Sequence, residues 1–354
     1  MHIDLDESPD VYNKYTFKKT IFILIGIIAL LLILIISISV GAVNIPFFDV
    51  VKTLFFNMQS KKFSLIIWNI RLPQALTAIA AGLGLSLAGL IMQASLNNPL
   101  GSPITFGISH AAAFGAAFSV IILNTGQIQS KGNIQIINHY ATTFVAFLFC
   151  ILTAVIVLLI SKIKKSSPHV MVLAGVAMGF LFTAGTMFLQ YFADDVQLAA
   201  MVFWTFGDVA RASWKELIII VVTTLFGTLF FFFNSWNYNA MQSGDETAKG
   251  LGVNTELVRI LSMFIATLLT SVIISFLGII GFIGLICPHI ARILIGEDYR
   301  YLIPASAIIG GILLLSADTV ARIIFLPYIL PVAVITSFIG VPIFIILLIR
   351  GSIR

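Results

Sequence analysis

The chain has 354 residues, 59% of them hydrophobic and 10% charged, with a formal net charge of +5. Soluble domains run nearer ~45–50% apolar and ~25% charged, so a water-facing surface cannot be built from this composition and the surrounding solvent must be lipid. The modest positive charge is not a nucleic-acid footprint, because the lysines and arginines sit mainly between apolar runs, where they set topology and meet headgroups or partners.

The first residues, Met1–Asp10, are polar and acidic, and 1–19 reads as a cytoplasmic tail ahead of a single transmembrane domain over 20–354. Lys18 and Lys19 precede a charge-free run from Thr20 to Val43. That run exceeds the ~20 residues a bilayer requires and the shorter apolar core of a cleaved signal peptide. It is therefore a retained first helix. Further charge-free stretches cover 72–130, 132–161, 166–193, 217–244, 260–291, 301–317 and 323–349. The first of these is too long for one span and breaks at Asn97-Asn98-Pro99-Leu100-Gly101-Ser102-Pro103, where prolines and a glycine cannot continue a helix. The stretch 260–291 carries Gly278, Gly281, Gly284 and Pro288 and reads as one span followed by a broken helix.

The expected fold is all-α and polytopic, with about ten spans at 20–43, 70–95, 103–124, 140–161, 170–193, 214–233, 257–276, 278–295, 301–324 and 332–350. Ten spans put both termini on one side. Placing them inside puts the larger share of Lys and Arg there too, led by Lys14, Lys18, Lys19, Lys162, Lys164 and Lys165. Small residues recur four apart at Gly82 and Ser86, at Gly175 and Gly179, and at Ser306 and Gly310. In lipid such spacing lets helix backbones touch; alternatively, a helix of this kind lines a pore.

Several chemistries are missing. The dipeptide Gly-Lys does not occur, so there is no phosphate-binding P-loop with which to hydrolyse ATP. His110, His139, His169 and His289 are scattered, and Cys150 and Cys287 lie in apolar stretches, so neither metal spacing nor a disulfide framework can be built. Among the few charges within spans, Asp318 and Arg322 stand four apart and can pair on one helix. Asp318 is then the leading candidate for an ion-coupled carrier's carboxylate, but a carboxylate that already has a partner fits that role poorly.

The longest polar segment assigned to the inside is 234–256. Ser243-x-x-Glu246 has the form of a capping box. Asp245 and Lys249 can pair at i,i+4, and Gly250 or Gly252 can end the helix by taking positive φ. A two-turn helix at the membrane surface is the expectation. Such a helix does not stand alone, and it is suited either to packing on neighbouring loops or to docking a soluble partner.

At this loop the sequence resembles a known family. Gly244-Asp245-Glu246-x-Ala248-x-x-Leu251-Gly252 is similar to the coupling loop of FecCD-class permeases, the membrane subunits of ABC importers for siderophores, haem and cobalamin. Further blocks agree in order and spacing: Arg71-Leu72-Pro73-Gln74, then Gln93 and Asn98-Pro99, then Gly281-Phe282-Ile283-Gly284 leading through Pro288-His289 to Arg292, then Asp318-x-x-Ala321-Arg322, and Gly340-Val341-Pro342. The resemblance covers about residues 65 to 350. It implies that the helix over 243–252 fits a cleft in an ATPase subunit, and that Arg71 and Arg322 meet acidic residues of a substrate-binding protein at the outer face. It further implies that two permease copies surround a central pathway, lined by the helix of Gly175 and Gly179 together with Gln93, Asn98 and Pro99, with Ser166-Ser167-Pro168-His169 near the inner gate.

It implies two cytosolic ATPase subunits that bind the ATP, no cofactor or metal in this chain, and a place in the cell membrane of a bacterium. The chain departs from the family pattern at Gln74, where arginine is usual, at Ile329, where glutamate is usual, and at Ala333, where glycine is usual. Without the resemblance, composition also admits an ion-coupled carrier or a receptor-type membrane protein.

Overall fold

In hydrocarbon every backbone polar group must be satisfied within its own segment, so the apolar runs become helices. The computed structural model describes residues 9–56, 61–128, 134–136, 139–164 and 166–351. The chain order is α1 (Pro9–Ser39), α2 (Phe47–Phe56), α3 (Lys61–Ile66), α4 (Leu72–Leu96), α5 (Ile108–Ile121), α6 (His139–Ile163), α7 (Pro168–Tyr191) and α8 (Asp195–Thr205). It continues with α9 (Trp214–Phe233), α10 (Ser235–Gln242), α11 (Asp245–Gly250), α12 (Thr255–Leu277), α13 (Ile283–Ile295), α14 (Tyr299–Ile323) and α15 (Val332–Gly351).

Among the described residues, seven helices are long and apolar enough to cross a membrane, and three shorter apolar helices accompany them. The fold is thus helical and polytopic, as the charge-free runs predict. Some boundaries differ. Residues 103–107 form a turn, so the span expected over 103–124 shrinks to α5. The element expected over 278–295 begins only at Ile283; its 13 residues reach about 20 Å at ~1.5 Å per residue, short of a ~30 Å hydrocarbon core. A small antiparallel pair, β1 (Gly126–Ile128) and β2 (Ile134–Ile136), joins α5 to α6 and departs from an all-helical chain. Residues 9–19 are already helical and continue into α1, so the tail expected over 1–19 has no break before the span; residues 1–8 of it lie outside the described residues.

Helix α4 is the centre of the molecule. Nearly all of its side chains are buried, and it packs against α14, α12, α13 and α9, while α5, α6 and α7 form a second group bridged to it by α12. Before α4 the ladder loosens to π spacing through Ile67–Arg71. Pro73 follows directly and has no N–H to give the carbonyl one turn back, and such a gap is a usual origin of a π turn. The small-residue pairs read from the sequence meet each other. Gly82 lies against the Gly310 backbone, and the Ser86 hydroxyl donates to the Ser306 carbonyl at 2.7 Å. This backbone-to-backbone crossing is the type of contact that packs helices without a hydrophobic driving force.

Candidate functional site

The polar machinery gathers at one end of the bundle, where α10, α11 and the N-terminal turn of α12 emerge. Helix α10 is fixed from three sides. Tyr238 and Ser262 share a hydroxyl hydrogen bond of 2.8 Å, Asn239 Nδ2 donates to Asp298 at 3.0 Å, and the Tyr299 N–H donates to Asn239 Oδ1 at 2.9 Å. Asp298 also pairs with Arg300 at 2.6 Å. Partial burial alone would raise the Asp298 pKa, but the hydrogen bonds from Arg300 and Asn239 outweigh it and hold the carboxyl below its usual value.

The short surface helix forms where the sequence places it, but its capping differs. Ser243 ends α10, and its N–H donates to the Ala240 carbonyl. It therefore falls one position too early to cap α11. Gly244 takes that place at φ +101°, a conformation that a side chain disfavours, and its carbonyl accepts from the Ala248 N–H at 3.0 Å. Gly252, at φ +85°, closes the other end, with the Val253 N–H donating to the Ala248 carbonyl. Ala248 faces inward and is fully buried, whereas Glu246, Lys249 and Leu251 face out, Leu251 with 70% of its surface exposed. Asp245 does not take Lys249 as its partner. It takes Arg259 of α12, which donates to both carboxylate oxygens at 2.7 and 2.9 Å.

Arg259 is the residue that sequence reading missed. It lies one turn inside an apolar helix, and a charge at that depth requires a partner; that was the available signal. It also donates to the carbonyls of Ser95 at 2.8 Å and Ser166 at 3.3 Å. The gate loop expected at Ser166–His169 is thereby brought to the surface helix. Ser166 is buried and Ser167 half-buried, Pro168 opens α7 and His169 is exposed.

Beside this cluster is an open cleft of about 350 Å³, lined by residues that include Gln93, Asn98, Pro99, His289, Arg292 and Tyr299. Three of the expected pathway residues thus meet two from the Gly281–Arg292 run. Pro288 explains part of the arrangement. It has no N–H for the carbonyl four residues earlier, that of Gly284, and Gln93 Nε2 donates there instead at 3.2 Å. The other end of the Gln93 amide accepts from Arg292 at 2.7 Å. Gly284 also lies against the backbone of α4 at Leu85 and Gly89, and Gly281 lies nearby with only Ile104 in reach.

The fold draws four other expected site residues into its packing. Gly175 packs on the backbone of Phe106 and Gly179 on the His110 ring, so both seat α7 against the start of α5. Arg71 and Arg322 are likewise not free at the surface. Arg71 is 6% exposed and donates to the carbonyls of Ile38, Ser39 and Val43. Arg322 is 7% exposed, donates to the Ser37 hydroxyl at 2.6 Å and faces Asp318 at 3.1 Å, a charge contact without the alignment of a hydrogen bond. Gln74, the departure from the family's arginine, donates to Asp318 at 2.9 Å. These side chains join the far ends of α1, α4 and α14 rather than presenting charge outward.

An apolar helical bundle with a polar, hydrogen-bonded cluster and an exposed short helix at one end is the architecture of a multi-pass membrane protein. The FecCD transport family profile matches residues 29–350, and the chain belongs to that family. A protein of Methanocaldococcus jannaschii, provisionally named an ABC transporter permease protein, is 51% identical over 97% of this chain and 98% of its own length. The Fe(3+)-citrate import system permease protein YfmE of Bacillus subtilis is 36% identical over 94% of this chain and 95% of its own. Among solved structures, a transporter provisionally described as of the metal-chelate ABC type, in an inward-facing conformation, superimposes with a TM-score of 0.80 at 28% identity, covering 93% of this chain and 98% of that one.

Proposed function

We propose that this chain is the permease subunit of an ATP-driven importer for an iron–siderophore complex, with haem and cobalamin as the alternative cargoes. A second permease copy completes a central pathway. Two cytosolic ATPase subunits dock on the α11 surfaces and hold the ATP, and an extracytoplasmic binding protein delivers cargo to the opposite face. The chain sits in the cell membrane with both termini in the cytoplasm. The observation that carries this reading is α11 itself: a two-turn helix fixed from beneath by Asp245 and Ala248 and offering Glu246, Lys249 and Leu251 outward. A helix too short to stand alone, yet so held, is built to receive a force.

The mechanism follows from rigid-body logic. Closure of the ATPase pair moves the two α11 helices and shifts the population from outward to inward access. No cargo bond breaks, so the chain's role is conduction, not catalysis. The rival reading, a carrier driven by an ion gradient, would use Asp318, but Asp318 already faces Arg322 and accepts from Gln74. The test is uptake into proteoliposomes holding the permease, its ATPase and the binding protein, offered ferric hydroxamate, ferric citrate or haem. Uptake driven by ATP without any ion gradient is expected; uptake that needs a proton gradient and ignores ATP contradicts the proposal.

A further inference from the structure

Three segments far apart in sequence converge on one guanidinium. Arg259 is 3% exposed and divides its nitrogens among them. Nε donates to the Ser95 carbonyl at the end of α4 at 2.8 Å, Nη1 to the Ser166 carbonyl in the loop before α7 at 3.3 Å, and Nη2 to the Asp245 carboxylate of α11 at 2.7 and 2.9 Å. A further bond closes a ring: the Ser166 hydroxyl donates to Glu256, three residues before Arg259 on α12, at 3.0 Å. Ser166 sits at φ +54°, a conformation uncommon outside glycine, so the loop is held by these bonds rather than by its own preference. Helix α11 is equally dependent, with six residues and no side-chain cap. The guanidinium is planar and its donors point in fixed directions. Moving α11 must therefore either carry the Ser166 loop and the end of α4 along or break charge-assisted hydrogen bonds in a buried setting.

We propose that Arg259 is the positioning residue that joins the ATPase-facing helix α11 to the Ser166 loop and the α4 terminus, so that the three move as one body when ATP is bound. The inference rests on the importer reading and adds the part that conveys the force. An ammonium cannot reproduce the fork, so Arg259→Lys keeps a charge beside Asp245 while removing the three-way joint, and it guards against a variant that merely misfolds. Arg259→Met removes both.

The experiment uses the assembled permease–ATPase complex in lipid, carrying His169→Cys as a reporter at the exposed start of α7; Cys150 and Cys287 are buried. Alkylation of the reporter by a membrane-impermeant maleimide is followed without nucleotide and after trapping with ATP and vanadate, alongside ATP hydrolysis. The native complex should show a nucleotide-dependent change in alkylation rate. Arg259→Lys, which keeps the charge beside Asp245 and so the seat of α11, should retain the ATPase subunit but lose that change, and Arg259→Met should lose the change as well. A nucleotide response that persists in either variant overturns the inference. So does release of the ATPase from Arg259→Lys, since Arg259 would then only support the shape of α11. A native complex that shows no response, or binds no ATPase, fails in a different arm, and there the importer reading falls and takes this inference with it.

Discussion

Gly82 of α4 and Gly310 of α14 touch backbone to backbone, so closely that a methyl group on either would collide with the carbonyl oxygen of the other. Gly310→Val should therefore part the two central helices and lower stability by about 1–3 kcal/mol, the usual cost of overpacking. Gly250 is the control, because it lies at the end of α11 and, among the described residues, nothing lies within 4 Å of an added methyl. Gly250→Ala should stay within ~0.5 kcal/mol of the native chain. Thermal unfolding in lipid reads both; equal midpoints for the two variants would contradict the close crossing.

Gln93 and Pro288 form a compensating pair. Gln93→Leu should strand the Gly284 carbonyl that Pro288 leaves without a helical donor. In a Pro288→Ala background the restored N–H can satisfy that carbonyl, and the same Gln93 change should then be milder. A double-mutant cycle on unfolding free energies should give a coupling of ~0.5–3 kcal/mol. Strict additivity would show that the two sites do not share the carbonyl.

On the importer reading Asp318 is a structural partner rather than a proton carrier. Asp318→Ala leaves the Arg322 guanidinium buried with the neutral oxygens of Ser37 and Thr319 as its partners, and removal of one member of a buried pair costs about 3–5 kcal/mol. Asp318→Asn keeps an acceptor for Gln74 and should retain ATP-driven uptake. Complete loss of uptake in a well-folded Asp318→Asn protein would restore the carrier reading.

The Asp298 latch should respond to acid. Its folded pKa lies below the ordinary value, so its contribution is fully present above the unfolded pKa and lost as pH falls through the folded one. Trp236 stacks on Arg300, with 4.5 Å between the guanidinium carbon and the ring centroid, and reports on the latch. Its fluorescence, isolated by difference against Trp236→Phe, should hold steady through the ~3.9 of a free aspartate and change only below it. Asp298→Asn should abolish that step; a step that survives the substitution belongs to another group.

The bundle was largely legible because charges are so rare that their absence marks the spans, and because Gly82, Ser86, Ser306 and Gly310 carry their packing in their spacing. The surface helix was legible from Asp245 to Gly252, but its cap was not. Ser243-x-x-Glu246 satisfies the capping pattern on paper, yet a helix the sequence reading did not place there, α10, precedes it and uses Ser243 for its own end. At Ser213-x-x-Glu216, where the preceding 3-10 turn has already ended at Arg211 and Ser213 is extended, the same pattern does form the box. Arg71 and Arg322 illustrate a second limit. Topology places them near one face, but only the fold shows that carbonyls of α1 and its following loop reach them first. Gly175 and Gly179 fit either a crossing or a pore by spacing alone, and the neighbours they pack on, Phe106 and His110, are far away in sequence.

The central claim is that the outward side of α11 receives an ATPase. It is tested most directly by co-purifying the chain, in lipid, with the ATPase encoded beside its gene, comparing native protein with Glu246→Lys and Leu251→Asp. Both residues are exposed and Asp245 is left in place, so unfolding temperatures should not change. A stable complex with the native chain that is lost in these variants is the predicted result. A native chain that binds no ATPase, or variants that bind it as well as the native chain does, would contradict the account.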